Sequence, residues 1–84
     1  MYVVEVLEEA SAQLLEAPAE ARHAFVALWD LLELHPWSGD SASREKPDAN
    51  MRIHSFGERG EGMALYLILE DQRRVAVLQI TWIG

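Results

Sequence analysis

The chain has 84 residues, half of them apolar, a quarter charged and none of them cysteine, with a formal net charge of −7. This length suits a single domain, residues 1–84, and the lack of cysteine excludes disulfides, thiol nucleophiles and thiolate metal sites. The negative charge opposes nonspecific attraction to nucleic acid and to anionic membranes. We see no signal peptide and no apolar run near the ~20 residues that span a bilayer, so we expect a cytoplasmic protein without membrane contact.

The N-terminal part of the chain predicts one strand followed by two helices. Alternating valines predict a strand over residues 2–7, and helical apolar spacing follows from Glu8 until Pro18 interrupts it. Residues 19–35 hold the strongest helical pattern of the sequence, which Pro36 ends. The short turn at Pro18 predicts an antiparallel helical hairpin, and its outer surface carries most of the net negative charge.

The remaining sequence predicts a long loop and three strands. Residues 37–50 are rich in serine, glycine, aspartate and proline, as is typical of a loop. Strands are predicted over 51–56, 63–70 and 75–83, the last two joined by a tight hairpin. This order predicts an α+β fold, β-α-α-β-β-β, in which the helical hairpin packs on one face of a mostly antiparallel four-stranded sheet.

Strand alternation divides the side chains of the last three strands between two faces. We expect the wholly apolar set to meet the helices: Met51, Ile53, Leu65, Leu67, Leu69, Ala76, Leu78, Ile80 and Trp82. We expect the second, partly polar set to be uncovered: Arg52, His54, Phe56, Ala64, Tyr66, Ile68, Val75, Val77, Gln79 and Thr81. A bulge would change part of this assignment. An uncovered face with cations and an aromatic ring could bind RNA or a peptide, or could simply be polar because it meets water.

The element order resembles that of the RelE/ParE superfamily of toxins from bacterial toxin–antitoxin systems. The resemblance lies above all in Met51-Arg52-Ile53-His54-Ser55-Phe56 followed by Met63-Ala64-Leu65-Tyr66-Leu67-Ile68, and the shared order of elements covers nearly the whole chain. It implies either a ribosome-dependent ribonuclease that cuts messenger RNA or an inhibitor of DNA gyrase. It also implies a cognate antitoxin protein that wraps and neutralises the chain.

The resemblance places candidate site residues on the two strands. Arg52 and His54 stand where the ribonucleases carry two basic residues, and Tyr66 matches the last position of their Tyr-Arg-aliphatic-x-Tyr pattern. Two positions depart from that pattern, because Met63 replaces its arginine and Gly62 replaces the preceding aromatic residue. The residues after the last predicted strand also include neither the basic residue nor the tyrosine or histidine of the family.

Cleavage of RNA by its 2′-hydroxyl needs a base, an acid and a cation at one phosphate. We expect His54 to serve as acid or base and Arg52 to stabilise the developing charge. The substrate-binding candidates are Tyr66, Arg59, Arg73, Gln79 and Thr81. Arg59 and Arg73 adjoin acidic residues in turns, so solvated turn charges are the alternative interpretation. We expect no cofactor and no metal.

Two hypotheses follow from the sequence. The first is a RelE-like toxin acting as a metal-free messenger RNA endoribonuclease, with ribosomal messenger RNA and an antitoxin as partners. The second is a non-catalytic member that binds an antitoxin-like helix or inhibits another target. Met63 and the net charge of −7 favour the second. A homodimer stays open under both.

Overall fold

The computed structural model describes residues 1–84 and contains every predicted element. The helices are α1 (Glu8–Glu16) and α2 (Ala19–Leu34), and the strands are β1 (Val3–Val6), β2 (Asp40–Ser41), β3 (Met51–Phe56), β4 (Gly62–Leu69) and β5 (Arg74–Trp82). Single 3-10 turns cover Pro36–Ser38 and Glu70–Gln72. The α+β prediction is confirmed, and the boundaries of the predicted helices and strands agree to within one or two residues. Neither helix is long and apolar enough to cross a membrane.

The five strands form one sheet in the order β1-β5-β4-β3-β2. β1 runs parallel to β5, and every other pair is antiparallel. The predicted sheet lacked β2, in which Asp40 and Ser41 pair with Ile53 and Arg52 inside the long loop. A two-residue strand shows no alternation that a sequence pattern could reveal.

The helical hairpin packs on one face of this sheet and encloses the apolar core. Phe25 and Leu32 of α2 are buried there, and the Phe25 ring meets Phe56 of β3 edge to face at 5.6 Å. Arg22 joins the two helices, because its Nη1 donates to the carbonyls of Leu14, Leu15 and Ala17 at 2.9 to 3.2 Å. These bonds satisfy carbonyls that the end of α1 leaves without intrahelical donors.

The predicted assignment of sheet faces is wrong for most of the sheet. The helix-facing residues are Phe56, Ala64, Tyr66, Ile68, Val75 and Val77, all at most 6% exposed. Arg52 pairs with Tyr66 and His54 with Ala64, so these two ionisable residues also lie on the helix-facing side. Of the apolar set expected there, Ile80 and Trp82 do pack against the core.

A β-bulge explains why β5 carries parts of both predicted sets on one face. Leu65 pairs with Gln79 but its neighbour Tyr66 pairs with Val77, so Leu78 is an extra residue in β5. An extra residue shifts the alternation by one, which turns both Val77 and Ile80 toward the helices. The sequence of β4 does not show which of its faces is buried, because its residues are apolar on both faces.

Candidate functional site

The open face, defined as the side of the sheet that the helices leave uncovered, is apolar. Its residues are Val3 of β1, Met51 and Ile53 of β3, Met63, Leu65, Leu67 and Leu69 of β4, and Ala76 and Leu78 of β5. Val3 is 58% exposed, Met63 50% and Met51 37%. Neighbouring strands bring these side chains into one continuous patch. Seven of these nine residues belong to the set that the sequence pattern assigned to the core; Val3 and Met63 do not.

Polar groups lie at both edges of the open face and, on β5, beside its central strand. At the β1 edge, Arg74 donates to the Glu5 carboxylate at 3.2 Å. At the opposite edge lies Asp40, and Gln79 and Thr81 are exposed on β5 opposite Leu65 and Met63. Gln79 and Thr81 therefore lie on the uncovered side, as predicted. The middle of the open face offers apolar contacts and carries no ionisable side chain.

Arg52 lies on the helix-facing side of β3 and holds the long loop against the sheet. Its guanidinium donates to the carbonyls of Ala49 and Gly39 at 2.9 Å and of Pro47 at 2.8 Å. It also lies 5.0 Å from the centroid of the Trp37 ring. Arg52 was expected on the uncovered side, and the structure corrects that expectation. Its N–H groups already donate to carbonyls of the loop.

Tyr66 is buried in the middle of the sheet instead of lying on the uncovered side. Its hydroxyl donates to the Pro36 carbonyl at 2.6 Å, and burial raises the pKa of this hydroxyl above its ordinary value. Gly39 lies so close that an added Cβ would collide with the Tyr66 hydroxyl oxygen. Tyr66 therefore anchors the turn after α2, and its expected place on the uncovered side is corrected.

His54 and Arg52 point to different surroundings although they share a face of β3. The His54 Nδ1 donates to the carbonyl of Ser55 at 2.7 Å. The half-buried ring lines a cavity of about 160 Å³ between β3 and α2, together with Ala24, Ala27 and Leu28. No carboxylate hydrogen-bonds this imidazole, and the catalytic role of the two residues stays a prediction.

The two turn arginines lie at opposite ends of β4. Arg59 follows β3, where its backbone N–H donates to Glu61 at 2.8 Å. Arg73 precedes β5 in a left-handed conformation with φ 53°, 3.5 Å from a Glu70 oxygen and 5.2 Å from the centroid of the Tyr2 ring. Eight residues of extended strand span about 26 Å, so the two guanidinium groups do not converge on one phosphate.

A cluster around Glu70 escaped sequence analysis. Its Oε1 accepts hydrogen bonds from the Tyr2 hydroxyl at 2.7 Å and from the Trp37 indole at 2.8 Å. The bond from Trp37, followed by that from Tyr2, lowers the pKa of the Glu70 carboxyl. Glu70 ties the start of the chain and the long loop to the β4–β5 turn. Contacts between residues so far apart in the chain leave no local pattern.

The lowered pKa of Glu70 predicts that acid measurably reduces the stability of the fold. Folding lowers the pKa of the Glu70 carboxyl, so ionised Glu70 stabilises the fold. This contribution to stability is fully present above the pKa of the unfolded chain and is lost as the pH falls through the lower pKa of the folded chain. We expect the urea midpoint to fall more steeply in the unchanged chain than in Glu70→Gln between about pH 5 and pH 3. Asp71→Asn is the matched control, since exposed Asp71 makes no side-chain hydrogen bond. Equal slopes for Glu70→Gln and the unchanged chain would contradict the assignment.

Comparison with known proteins identifies the fold. Neither a protein-family model nor a curated protein matches the sequence. The isolated RelE toxin of E. coli superposes with a TM-score of 0.78 and 9% identity, covering 100% of this chain and 86% of that one. The intact E. coli RelBE toxin–antitoxin complex gives 0.77 and 10%, with 100% and 99% covered. The RelBE2 complex of Mycobacterium tuberculosis gives 0.71 and 21%, with 96% of each chain covered. The chain therefore has a RelE-like fold, as its resemblance implied.

Proposed function

We propose that this chain is the RelE-like member of a toxin–antitoxin pair and that it acts by binding protein through its open face. Two of the similar solved structures are toxin–antitoxin complexes. The observation that carries the proposal is the open face itself, where nine apolar side chains form one patch without an ionisable group in its middle. Large exposed apolar patches on small domains are typical of protein-binding surfaces.

The shape and charge of the chain indicate the chemistry of its partner. An amphipathic helix with apolar residues at positions i, i+3, i+4 and i+7 would fit along the four apolar side chains of β4. The chain carries −7, mostly on the outer side of its helical hairpin. This charge lies on the far side of the helical layer from the open face, so recognition at the open face depends on the apolar residues of the partner. We infer an antitoxin-like amphipathic segment.

The endoribonuclease alternative has less support. It requires a base, an acid and a cation around one phosphate. The Arg52 guanidinium already donates to three carbonyls, Tyr66 is buried, and the turn arginines lie at opposite ends of β4. Protein binding requires none of these groups and uses the surface that is exposed.

Co-expression with the products of the flanking reading frames tests the proposal. We expect one product to co-purify with the chain and Met63→Lys to weaken that complex by roughly a hundredfold, because a lysine would be buried in an apolar contact. Met63 is 50% exposed, so the substitution leaves the fold intact. Val26→Lys on α2 is the matched control, since Val26 is 61% exposed on the other layer. Loss of binding in Val26→Lys but not in Met63→Lys, or no partner at all, would refute the proposal.

A further inference from the structure

We propose that, without a partner, two copies of this chain pair open face to open face, and that a partner protein binds only the monomer. The second half of this inference rests on the proposed function, whereas the first stands on the geometry of the sheet. The dimer would keep the apolar patch out of water until a partner replaces the second copy.

The position of β4 makes the open face self-complementary. β4 is the central strand of five, and its four uncovered residues are apolar: Met63, Leu65, Leu67 and Leu69. A two-fold axis that lies between the two facing sheets and crosses over the middle of β4 sets this strand over its own copy, so that leucines meet leucines. Facing sheets pack about 10 Å apart with their strands within about 30° of each other, and a two-fold contact uses the same patch on both copies.

The charge of the chain does not oppose this contact. The acidic residues of α1 and α2 lie on the far side of the helical layer, away from the second copy. On the open face, Glu5 is neutralised by Arg74 at 3.2 Å, and Asp40 lies at the opposite edge. Two chains of −7 can therefore meet at this face without bringing their acidic surfaces together.

The edge strands of the sheet are short, since β1 has four residues and β2 has two. β2 is only two residues long, which leaves little edge for another strand to extend. Beyond the end of β1, one donor on the edge of β5 is also taken, because the Ile80 N–H donates to the Gln13 side chain at 2.6 Å. Pairing at these edges would join few residues, whereas stacking of the two open faces uses the whole apolar patch.

The size of the open face indicates a dimer of moderate strength. Strand lengths and spacings give about 500 to 600 Å² for each copy, or about 1,000 to 1,200 Å² in total, near the lower bound for specific interfaces. Interfaces of this size have dissociation constants in the micromolar range when their shape complementarity is ordinary. A dimer of that strength can be exchanged for a tighter complex with a partner.

Sedimentation of the purified chain tests the inference. We expect a monomer–dimer equilibrium with a midpoint between about 1 and 100 µM, and a shift of at least roughly tenfold toward monomer in Met51→Lys combined with Met63→Lys. Leu15→Lys is the matched control, because Leu15 is 69% exposed on α1, and it should keep the dimer. Circular dichroism confirms that each variant is folded, and Met63→Lys alone replaces the double variant if that one unfolds. A chain that stays monomeric at 100-fold higher concentration, or a dimer that only Leu15→Lys disrupts, would overturn the inference.

The two proposals can fail separately. A monomeric chain that still co-purifies with a flanking product through Met63 overturns the dimer and leaves the proposed function intact. A dimer that survives every flanking product supports self-association and contradicts the proposed function. Conversion of the dimer into a complex with one copy of each protein supports both.

Discussion

Tyr66→Ala is expected to remove a large part of the stability of the protein. Tyr66 is 0% exposed at the centre of the sheet, and its hydroxyl donates to the Pro36 carbonyl at 2.6 Å. Truncation of a buried aromatic residue costs about 3 to 5 kcal/mol, out of a total stability of about 5 to 15 kcal/mol for a small domain. Urea unfolding followed by tryptophan fluorescence measures the loss.

Tyr66→Phe separates the ring from the hydroxyl in the same measurement. It keeps the ring in the core but leaves the Pro36 carbonyl without its donor, which costs about 1 to 2 kcal/mol. A loss below about 1 kcal/mol for Tyr66→Ala would contradict burial of this residue and would place it on an uncovered surface.

Arg52→Ala is expected to lower the free energy of unfolding by about 2 kcal/mol, because three hydrogen bonds from a charged group are lost together. For a domain of this size that loss corresponds to roughly 10 °C in Tm. The three acceptors belong to the loop between β2 and β3 and to the turn before β2, so the loop should loosen as well. Scanning calorimetry measures the shift in Tm. Arg52→Lys should recover only part of it, since an ammonium lacks the planar array of donors.

His54→Ala is the control for Arg52→Ala and also tests the catalytic hypothesis. The half-buried His54 ring has one hydrogen bond, to the adjacent Ser55 carbonyl, so we expect a small change in Tm. An unchanged Tm in Arg52→Ala would show that the Arg52 guanidinium does not stabilise the loop and is available to bind another group. Cleavage of messenger RNA on ribosomes that His54→Ala abolishes would favour the endoribonuclease over our proposal.

The helices and most strands were predictable because each has a periodic pattern and a clear end. Pro18 and Pro36 delimit α2, and β3 was predicted with its observed boundaries. The faces were not predictable. β4 is apolar on both sides, and the bulge at Leu78 shifts the alternation within β5 without any mark in the sequence.

The candidate site was harder to predict than the fold, because an ionisable residue on a strand does not reveal its contacts. Arg52 matches a family position, yet its donors are taken by a loop whose path the sequence does not specify. Most of the apolar set that looked like core lies on the uncovered side, since Tyr66 and its neighbours fill the helix-facing side, and only Ile80 and Trp82 of that set pack against the core. The strands β3, β4 and β5 must be placed together before the open face can be recognised.

Methionine oxidation of the complex with the co-purifying partner tests the role of the open face most directly. Met51 and Met63 lie near opposite ends of this face, and a Leu15→Met variant supplies a reference thioether on α1. Because oxidation follows exposure, we expect the partner to slow oxidation of Met51 and Met63 by roughly tenfold relative to the reference, compared with the dilute monomer. If both methionines are oxidised in the complex as fast as in the monomer, the open face is not the binding surface.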